Sequence, residues 1–396
     1  MPTSAYPKIR AITRGPKSHW FGYYDKFQID QSGRYALGME VDFQHRSPRG
    51  DDVIRVGMVD MQDGDRWIEL GESCAWGWQQ GCMLQWLPGS NSEVIWNDRQ
   101  DDHFVCHVLD IHSGAKRTLP GPIYTITSEG KTAFAPDFRR INHCRPGYGY
   151  AGLPDPNKDV SAPKDAGIWK LDLQNGEQKL ILSLADIVEI HYPHGDIRDA
   201  THWFNHLLIN TDDTRLEFLH RWRHPGQTGF DTRMFTCDTN GKDLHIIDDY
   251  GHMSHFIWRD PKHILGWAYH PSAGNRFFLY EDLPQLKTAD KVEVIGEGVM
   301  VENGHCTYLL GNEWVLNDTY PFNNDLQHLY LYHIASNRRF PIADLVAPTE
   351  YAGEWRCDLH PRTNRAGDLV LIDSAHGGTG RQMYAINVSE ILESLA

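Results

Sequence analysis

The chain has 396 residues and a formal net charge of −15, from 38 basic and 53 acidic side chains. Its apolar content of 40% supports a packed core and excludes a disordered, collagenous or coiled-coil protein. The acidic balance also argues against a nucleic-acid partner, because duplex binding requires a positive surface that displaces counterions.

The sequence contains no signal for a membrane or for export. No apolar run approaches the roughly 20 residues that cross a bilayer, and Met1 to Pro7 lacks the basic and apolar parts of a signal peptide. Seven scattered cysteines do not form a disulfide framework. We therefore expect no membrane partner and a cytoplasmic location for the chain as written, or a periplasmic or secreted one if a leader has been removed.

Seven units with the same order of strands and turns follow one another along the chain. Each unit opens with two apolar strands around a polar turn and continues with a strand, an Asp-Gly, Asn-Gly or Ser-Gly type turn and a fourth strand. The opening pairs begin at Phe27, Met83, Thr125, His206, His255, His305 and Cys357. Radial repetition of short sheets protects their edges. The sequence therefore predicts an all-β fold, a seven-bladed β-propeller of four-stranded antiparallel blades, with a pair of β-sandwiches as the alternative.

The first residues of the chain and one long insertion complete the predicted propeller. The seventh unit ends with the strand RQMYAINV, and the early segment PKIRAITRG can supply its missing outer strand, which makes residues 1–396 one closed domain. Residues 139–165 form a Gly/Pro-rich insertion between the second and third strands of unit three, where a loop of this length is either functional or a solvated cover. The insertion offers these residues for a binding wall: Arg139, Arg140, Arg145, Tyr148 and Tyr150.

Alignment of the units on their first strands places a possible metal ligand at the same position in four neighbouring blades. The aligned residues are His206, His255, His305 and Cys357. Because the inner strands all start at one rim of the central channel, these side chains are expected to converge, and imidazole and thiolate ligands suit Zn²⁺. We assign His255, His305 and Cys357 to a divalent metal, Zn²⁺ first and Mn²⁺ or Ca²⁺ as alternatives. His252 and His360 are the alternative ligands.

The remaining polar groups of the predicted channel favour proton transfer on an acidic sugar. The chain has no Gly-rich phosphate loop, nucleophile elbow or committed carboxylate pair. Histidine, tyrosine, arginine and a metal together suit β-elimination from a uronate, in which a base removes the proton beside a carboxylate while a cation stabilises the enolate. His206 is assigned to proton transfer, Arg221 to the carboxylate, and Tyr24, Tyr148 or Tyr150 to the second proton. Expected substrate contacts are His19, Tyr24, Gln80, Asn97, Arg99 and Arg145.

Several short motifs carry a resemblance to a known family. The segments NHLLINTDDTRLEFLHRW, GHMSHFIW, NGHCTY, NDTYP and RCDLHP, on the predicted blades, resemble the propeller polysaccharide lyases, most closely the ulvan-lyase type and more distantly the oligogalacturonate-lyase type. The resemblance implies an active site in the channel, with Arg221 for the uronate, His206 for protons and the metal on His255, His305 and Cys357. One departure is that Gln79, Gln80 and Asn97 stand where the ulvan type has histidines.

Three functions follow as alternatives from these observations. The first is a lyase that acts on an acidic oligosaccharide or polysaccharide. The second is a metal-dependent glycoside hydrolase that uses the same channel. The third is a non-catalytic propeller with a structural metal that binds a protein or a glycan, since a fold alone does not fix a function.

Overall fold

The computed structural model describes residues 6–283, 292–321 and 325–394, and these form seven four-stranded antiparallel sheets arranged in a ring. Numbered in chain order, the N-terminal strand is β1 (Ile9–Ala11). Blades 1 and 2 contain β2 (Ser18–Trp20), β3 (Tyr35–Val41), β4 (Ile54–Asp60), β5 (Arg66–Ser73), β6 (Gln85–Trp86), β7 (Glu93–Gln100), β8 (His103–Asp110) and β9 (Lys116–Leu119). Blades 3 and 4 contain β10 (Thr125–Ile126), β11 (Thr132–Pro136), β12 (Gly167–Asp172), β13 (Gln178–Ser183), β14 (Thr201–Ile209), β15 (Arg215–Arg223), β16 (Asp231–Asp238) and β17 (His245–Gly251).

The second half of the ring repeats this pattern and confirms the predicted seven-bladed propeller. Blades 5 and 6 contain β18 (Phe256–Asp260), β19 (His263–His270), β20 (Gly274–Glu281), β21 (Glu293–Ile295), β22 (Thr307–Tyr308), β23 (Trp314–Asn317), β24 (Leu326–His333) and β25 (Arg338–Val346). Blade 7 contains β26 (Arg362–Thr363), β27 (Leu369–Ser374) and β28 (Gln382–Asn387). Short helices are α1 (Phe138–Cys144), α2 (Leu184–Val188), α3 (Ser389–Glu393) and a 3₁₀ helix (Gly353–Trp355). Among the described residues, no helix is both long and apolar enough to cross a membrane.

The N-terminal strand closes the ring as predicted. β1 pairs antiparallel with β28, with Ile9 opposite Ile386 and Ala11 opposite Tyr384. Blade 7 is thus built from both ends of the chain, and separating its outer strand requires the loss of a complete strand ladder. Apolar side chains buried between neighbouring blades form the core, so each blade packs on the next around the ring.

An aspartate at the end of the third strand shapes the outer hairpin in several blades. Its carboxylate accepts hydrogen bonds from backbone amides two to four residues later in the turn. The four such residues are Asp60, Asp110, Asp172 and Asp238. In blade 2 the turn also contains Gly114 at φ +72°, a conformation that glycine adopts without steric cost. These turns are the physical basis of the recurring Asp-containing motif in the sequence.

The insertion between β11 and β12 is an ordered part of the fold. Arg140 is buried in it, forms an ion pair with Asp155 at 3.1 Å and donates to the carbonyls of Asn157, Val160 and Ser161. Its guanidinium thus holds the loop together from within. Arg139 instead pairs with Asp137 at the N-terminus of α1. Neither arginine is left for the binding wall that the sequence predicts here.

Candidate functional site in the channel

Residues 21–27, which precede β3, run into the centre of the ring. The amide of Gly22 donates to the carboxylate of Asp373 in blade 7 at 3.0 Å. The hydroxyl of Tyr24 donates to the carbonyl of Phe256 at 2.8 Å and accepts from the amide of the same residue at 3.0 Å, at the start of blade 5. The Tyr24 hydroxyl is therefore engaged in both directions and is a poor candidate for a proton carrier.

A buried ion network extends this segment to blades 3 and 4. The carboxylate of Asp25 accepts from Nε2 of His206 at 3.0 Å and from Nζ of Lys26 at 2.8 Å. Nζ of Lys26 also lies 4.5 Å from the ring centroid of Tyr124. Burial alone would raise the pKa of Asp25, but Lys26 and His206 lower it to about 2. A short segment can reach all these blades only along the axis, so residues 21–27 close the middle of the channel.

His206 packs against residues 21–27, the segment that closes the middle of the channel. It lies within β14 at a bulge between Asn205 and Leu207, with φ +47°. Its ring stacks on Phe256 with centroids 4.0 Å apart and lies 4.8 Å from that of Tyr23. Burial lowers its pKa, and its Nδ1 is buried with no hydrogen-bond partner among the described residues. His206 therefore lies beneath residues 21–27 and is part of the packing around them.

Two histidines and an aspartate meet on the side of the channel where the inner strands begin. The possible ligand atoms of His305, Asp358 and His360, all buried, lie within 4.8 Å of one another. The ring centroids of the two histidines are 4.3 Å apart. Nδ1 of His305 donates to Asp318 at 2.9 Å, and the His305 amide donates to the same carboxylate at 2.6 Å. These bonds fix the ring and leave Nε2 as its acceptor.

These three residues, called the metal-ligand group below, fit a divalent cation. The Nε2 atoms of His305 and His360 are buried and have no hydrogen-bond partner in the part of the chain that the structure describes. Burial lowers the pKa of His360 well below its ordinary value, which favours the neutral imidazole that a metal requires. Two imidazoles and a carboxylate suit first-row metals, and Asp318 behind His305 is the outer partner that metal-binding histidines commonly have.

His255 and Tyr320 form a second pair of groups beside the metal-ligand group. The His255 ring lies 4.2 Å from that of His305. Its Nδ1 donates to Oδ1 of Asn303 at 3.0 Å, which assigns the tautomer and leaves Nε2 to accept from the Tyr320 hydroxyl at 3.3 Å. Burial lowers the pKa of His255 and raises that of Tyr320. The pair is therefore a neutral base in contact with a neutral acid.

Two arginines, the buried Arg221 and the half-buried Arg145, face the same space. The guanidinium carbons of Arg145 and Arg221 each lie 4.8 Å from the ring centroid of Phe230. Nε of Arg221 donates to the hydroxyl of Thr232 at 3.2 Å. The Nη1 atoms of both arginines are buried without a hydrogen-bond partner among the described residues. Because a buried cationic donor is costly without a partner, this arrangement indicates an anionic ligand.

Arg356 connects these arginines with the metal-ligand group. Its Nε donates to Asp358 at 2.6 Å and its Nη2 to the Tyr148 hydroxyl at 2.6 Å. Arg145 lies over the Tyr148 ring at 4.0 Å. Burial works against the charged guanidinium, but Asp358 and the nearby tyrosines raise the pKa of Arg356. Arg356 thus stays charged and orders both Asp358 and Tyr148.

The structure brings some of the predicted site residues together in this space, namely Arg145, Tyr148, Arg221, His255 and His305. Cys357 lies outside the metal-ligand group. Its carbonyl accepts from Gln327 at 3.2 Å, and burial raises the pKa of its thiol to about 12. His360, the alternative ligand, is in the group, whereas His252 is exposed.

Other predicted substrate contacts are engaged within the fold. Asn97 donates to the carbonyl of Ile123 at 2.8 Å and to the Tyr150 hydroxyl at 2.9 Å, and accepts from the Ile123 amide. Asn97 and Tyr150 thus join blades 2 and 3. Nη2 of Arg99 donates to the carbonyl of Gly50 at 2.6 Å. Asn97 and Tyr150 are thus engaged by other protein groups, and Arg99 is anchored to the backbone at Gly50.

His19 and Gln80, two further predicted substrate contacts, are hydrogen-bonded to other side chains of the protein. Both ring nitrogens of His19 are engaged, by Gln382 at 3.1 Å and by Glu40 at 3.2 Å, next to blade 7. Nε2 of Gln80 donates to the Tyr124 hydroxyl at 2.6 Å, while its Oε1 is buried without a partner among the described residues. Gln80 therefore supports the closure of the channel.

Three further residues line this space and are not among the site residues predicted from the sequence, namely Tyr23, Arg356 and Asp358. The Tyr23 ring lies 5.2 Å from that of His360, and burial raises the pKa of its hydroxyl well above the ordinary value. Asp358 and His360 carry a usable signal, because an acidic residue and a histidine two apart directly precede an inner strand. Tyr23 carries none, since it lies outside the repeating units.

The propeller is similar to solved structures, whereas comparison with protein-family models and with curated protein sequences gives no match. An oligogalacturonate lyase from Vibrio parahaemolyticus aligns with a TM-score of 0.65 at 14% identity, over 98% of this chain and 96% of that one. An oligogalacturonate lyase in complex with manganese aligns with a TM-score of 0.67 at 14% identity, over 99% and 96%. The tricorn protease aligns over 98% of this chain and 35% of that one, with a TM-score of 0.55 at 10% identity. The resemblance to the ulvan-lyase type stays a prediction. The chain thus shares its propeller fold with the oligogalacturonate lyases.

Proposed function

We propose that this protein is a lyase that cleaves uronate-containing oligosaccharides by β-elimination. The observation that carries the proposal is the pair of buried, unpartnered Nη1 atoms on Arg145 and Arg221, next to a base, an acid and a metal-ligand group. A guanidinium fork matches a carboxylate, and a buried cationic donor without a partner is costly unless an anion binds it. The two structurally similar oligogalacturonate lyases support an acidic sugar as the ligand.

The proposal assigns a residue to each step of the reaction. Arg145 and Arg221 bind the uronate carboxylate and stabilise the negative charge that develops as the adjacent C–H bond breaks. The Tyr320 hydroxyl leaves Nε2 of His255 as substrate binds, and that nitrogen then accepts the proton. The C–H electron pair forms the new C=C bond while the glycosidic C–O bond breaks. The hydroxyl of Tyr23 donates its proton to the leaving oxygen. In the resting protein the Tyr320 hydroxyl donates to this Nε2, and the bond from Nδ1 to Asn303 fixes the tautomer in which Nε2 is the acceptor.

His305, Asp358 and His360 are proposed to hold a divalent cation. Such a cation would supply positive charge for the carboxylate of the substrate. The manganese in one similar lyase structure supports a divalent ion, so Mn²⁺ is tested together with the Zn²⁺ that the sequence favours. Within this proposal His360 takes the role that the repeat alignment gives to Cys357, and His255 moves from the metal to proton transfer.

The activity test uses a panel of uronate oligosaccharides, with the ultraviolet absorbance of the unsaturated product as the readout. Arg221→Ala is expected to lower kcat/KM by at least about 100-fold, since it removes a cation that faces developing charge. Arg221→Lys keeps the charge without the fork and should retain part of the rate. The matched control is Arg338→Ala, because Arg338 also lies 4.8 Å from a phenylalanine ring but on the surface.

The outcomes separate the three functions. Unsaturated products that disappear with Arg221→Ala support the lyase. Saturated products with new reducing ends identify a hydrolase, and no product with any uronate, in protein loaded with Mn²⁺ or Zn²⁺, contradicts the enzymatic proposal. In that last case, two results would support the non-catalytic propeller. One is binding of a protein or glycan, and the other is a metal whose removal only lowers Tm.

The metal assignment has its own test, elemental analysis of the purified variants. His360→Ala should lower the bound metal to a small fraction of the wild-type stoichiometry, while Cys357→Ser should leave it unchanged. Full metal content in His360→Ala, or its loss in Cys357→Ser, would restore the ligand set predicted from the repeat alignment. Cys357→Ser is a close match in size and is buried at an equivalent place, so it also serves as the folding control.

A further inference from the structure

The side of the channel opposite the metal-ligand group contains a separate cavity. Its volume is about 470 Å³, within the range of small-molecule pockets. Its wall includes one residue or more from each of blades 3 to 7, among them Ile126, Leu208, Trp258, Tyr308 and Arg365. These residues lie near the ends of the inner strands or just beyond them, whereas the metal-ligand histidines lie before the strands. The cavity therefore opens at the other rim.

Residues 21–27 separate this cavity from the arginine side of the channel. Lys26 lines the cavity, and its ammonium is held by Asp25, which in turn binds His206. All three side chains are almost fully buried. A ligand in one compartment therefore does not reach the other without unfolding this network.

Part of the cavity wall is apolar and faces solvent. Leu310 is 81% exposed and Phe27 is 49% exposed, although both line a concave surface. Trp258, whose Nε1 donates to the carbonyl of Leu208 at 3.2 Å, lines the same cavity together with Ile257. Large exposed apolar side chains gathered at a concavity commonly mark a binding site.

The free polar groups of the cavity favour an anion. Three cations line it, Lys26, Arg362 and Arg365, against two carboxylates, in a chain whose net charge is −15. Lys26 and Arg362 are held by buried carboxylates. Arg365 has no carboxylate partner in the described ranges and lies 5.3 Å from the ring centroid of Phe27. The Tyr308 hydroxyl is likewise buried without a described partner.

We propose that this cavity binds a small amphipathic anion, an apolar or aromatic body that carries one carboxylate. The body would lie on Phe27, Trp258 and Leu310, and the carboxylate would accept hydrogen bonds from the Arg365 guanidinium, with the Tyr308 hydroxyl as a further donor. This site is independent of the proposed lyase activity, because the ligand, the residues and the compartment all differ.

The test is isothermal titration calorimetry of the full chain with 2-naphthoate. Binding is expected, with at least about tenfold weaker affinity for Arg365→Glu, since the substitution places a like charge against the carboxylate. Arg338→Glu is the matched control, because it reverses another exposed arginine that lies on a phenylalanine ring, and it should change the affinity less than about twofold. Neutral 2-naphthamide should bind more weakly than 2-naphthoate, and excess D-galacturonate should not displace 2-naphthoate.

Three results would contradict the proposed anion site. These are no heat of binding with 2-naphthoate, equal affinity of Arg365→Glu and wild type, or displacement by D-galacturonate. Analytical ultracentrifugation at the same protein concentrations tests whether a second copy of the chain occupies the cavity instead. Self-association that Leu310→Asp abolishes would show that a second copy of the chain covers this rim, and it would replace the small anion as the partner.

Discussion

Asp248 in β17 is expected to make the stability of the protein depend on pH near neutrality. The side chain is fully buried and accepts hydrogen bonds from the Tyr280 hydroxyl at 3.0 Å and from the Tyr250 amide at 3.2 Å. Burial is the main cause that raises the pKa of Asp248 to about 7, and the charge of the neighbouring Asp249 raises it further. The two hydrogen bonds act in the opposite direction and lower this pKa. The folded protein therefore holds this proton at pH values where the unfolded chain has released it.

The magnitude follows from the two pKa values. Between the ordinary 3.8 and about 7, at ~1.36 kcal/mol for each pH unit, the difference is about 4 kcal/mol. Below about pH 4 both states are protonated and the group contributes no pH dependence. As the pH rises towards 7, the unfolded chain loses the proton while the folded chain keeps it, so the free energy of unfolding falls. Above about pH 7 the loss is complete.

Asp248→Asn removes the titration, and urea unfolding at a series of pH values measures the effect. The free energy of unfolding of the variant minus that of the wild type should rise by about 4 kcal/mol from pH 4 to pH 8, whatever its value at pH 4. In a Tyr280→Phe background the rise should be larger, because the lost hydroxyl bond favours the ionised carboxylate. A difference that stays constant across this pH range would refute the reasoning.

Three further predictions concern the centre of the molecule. Asp25→Asn, which leaves the buried ammonium of Lys26 without its partner, should lower the free energy of unfolding by about 3–5 kcal/mol, and the double variant with Lys26→Met should recover most of it in urea unfolding. Glu217 is buried with both carboxylate oxygens unpartnered among the described residues, and burial raises its pKa well above 4.5. Glu217→Gln should therefore raise Tm more at pH 8 than at about pH 4 in a calorimetric scan, and an equal change at both would contradict this. Tyr24→Phe should cost about 1–3 kcal/mol of stability by leaving the backbone groups of Phe256 unpaired, while product formation at full substrate saturation persists; its complete loss in a folded variant would show that Tyr24 carries a proton.

The repeating part of the fold could be predicted because it is encoded locally. Each outer hairpin carries its own aspartate and turn residues, so strand number and blade number follow from short windows of sequence. The closure by β1 also follows, since an incomplete last unit requires a fourth strand from elsewhere. Residues 21–27 are different. Their partners, such as Phe256 and His206, lie about 180 to 230 positions away, and no local pattern predicts a segment on the axis of the ring.

At one position of the metal-ligand group, the repeat alignment and the structure select different residues. His305 stands two residues before β22 (Thr307–Tyr308), and His360 stands two residues before β26 (Arg362–Thr363). Cys357 is five residues before the same strand, and His206 lies inside β14. The alignment of apolar runs places the start of the seventh unit too early, because the connection before β26 has no turn that marks its end. Counting back from the actual strands selects His360.

The arginines show why residue type alone does not define the candidate site. Arg140 and Arg145 belong to the same insertion and look alike in sequence. The guanidinium of Arg140 donates hydrogen bonds to one carboxylate and four backbone carbonyls, so its loss would unfold the loop. Arg145 is half-buried, and its buried Nη1 has no described partner. Since a folded chain seldom leaves a buried cationic donor unpaired, the unpaired one is where a ligand supplies the missing acceptor. That distinction depends on long-range packing against Phe230 and Tyr148, and it becomes visible only when the blades are assembled.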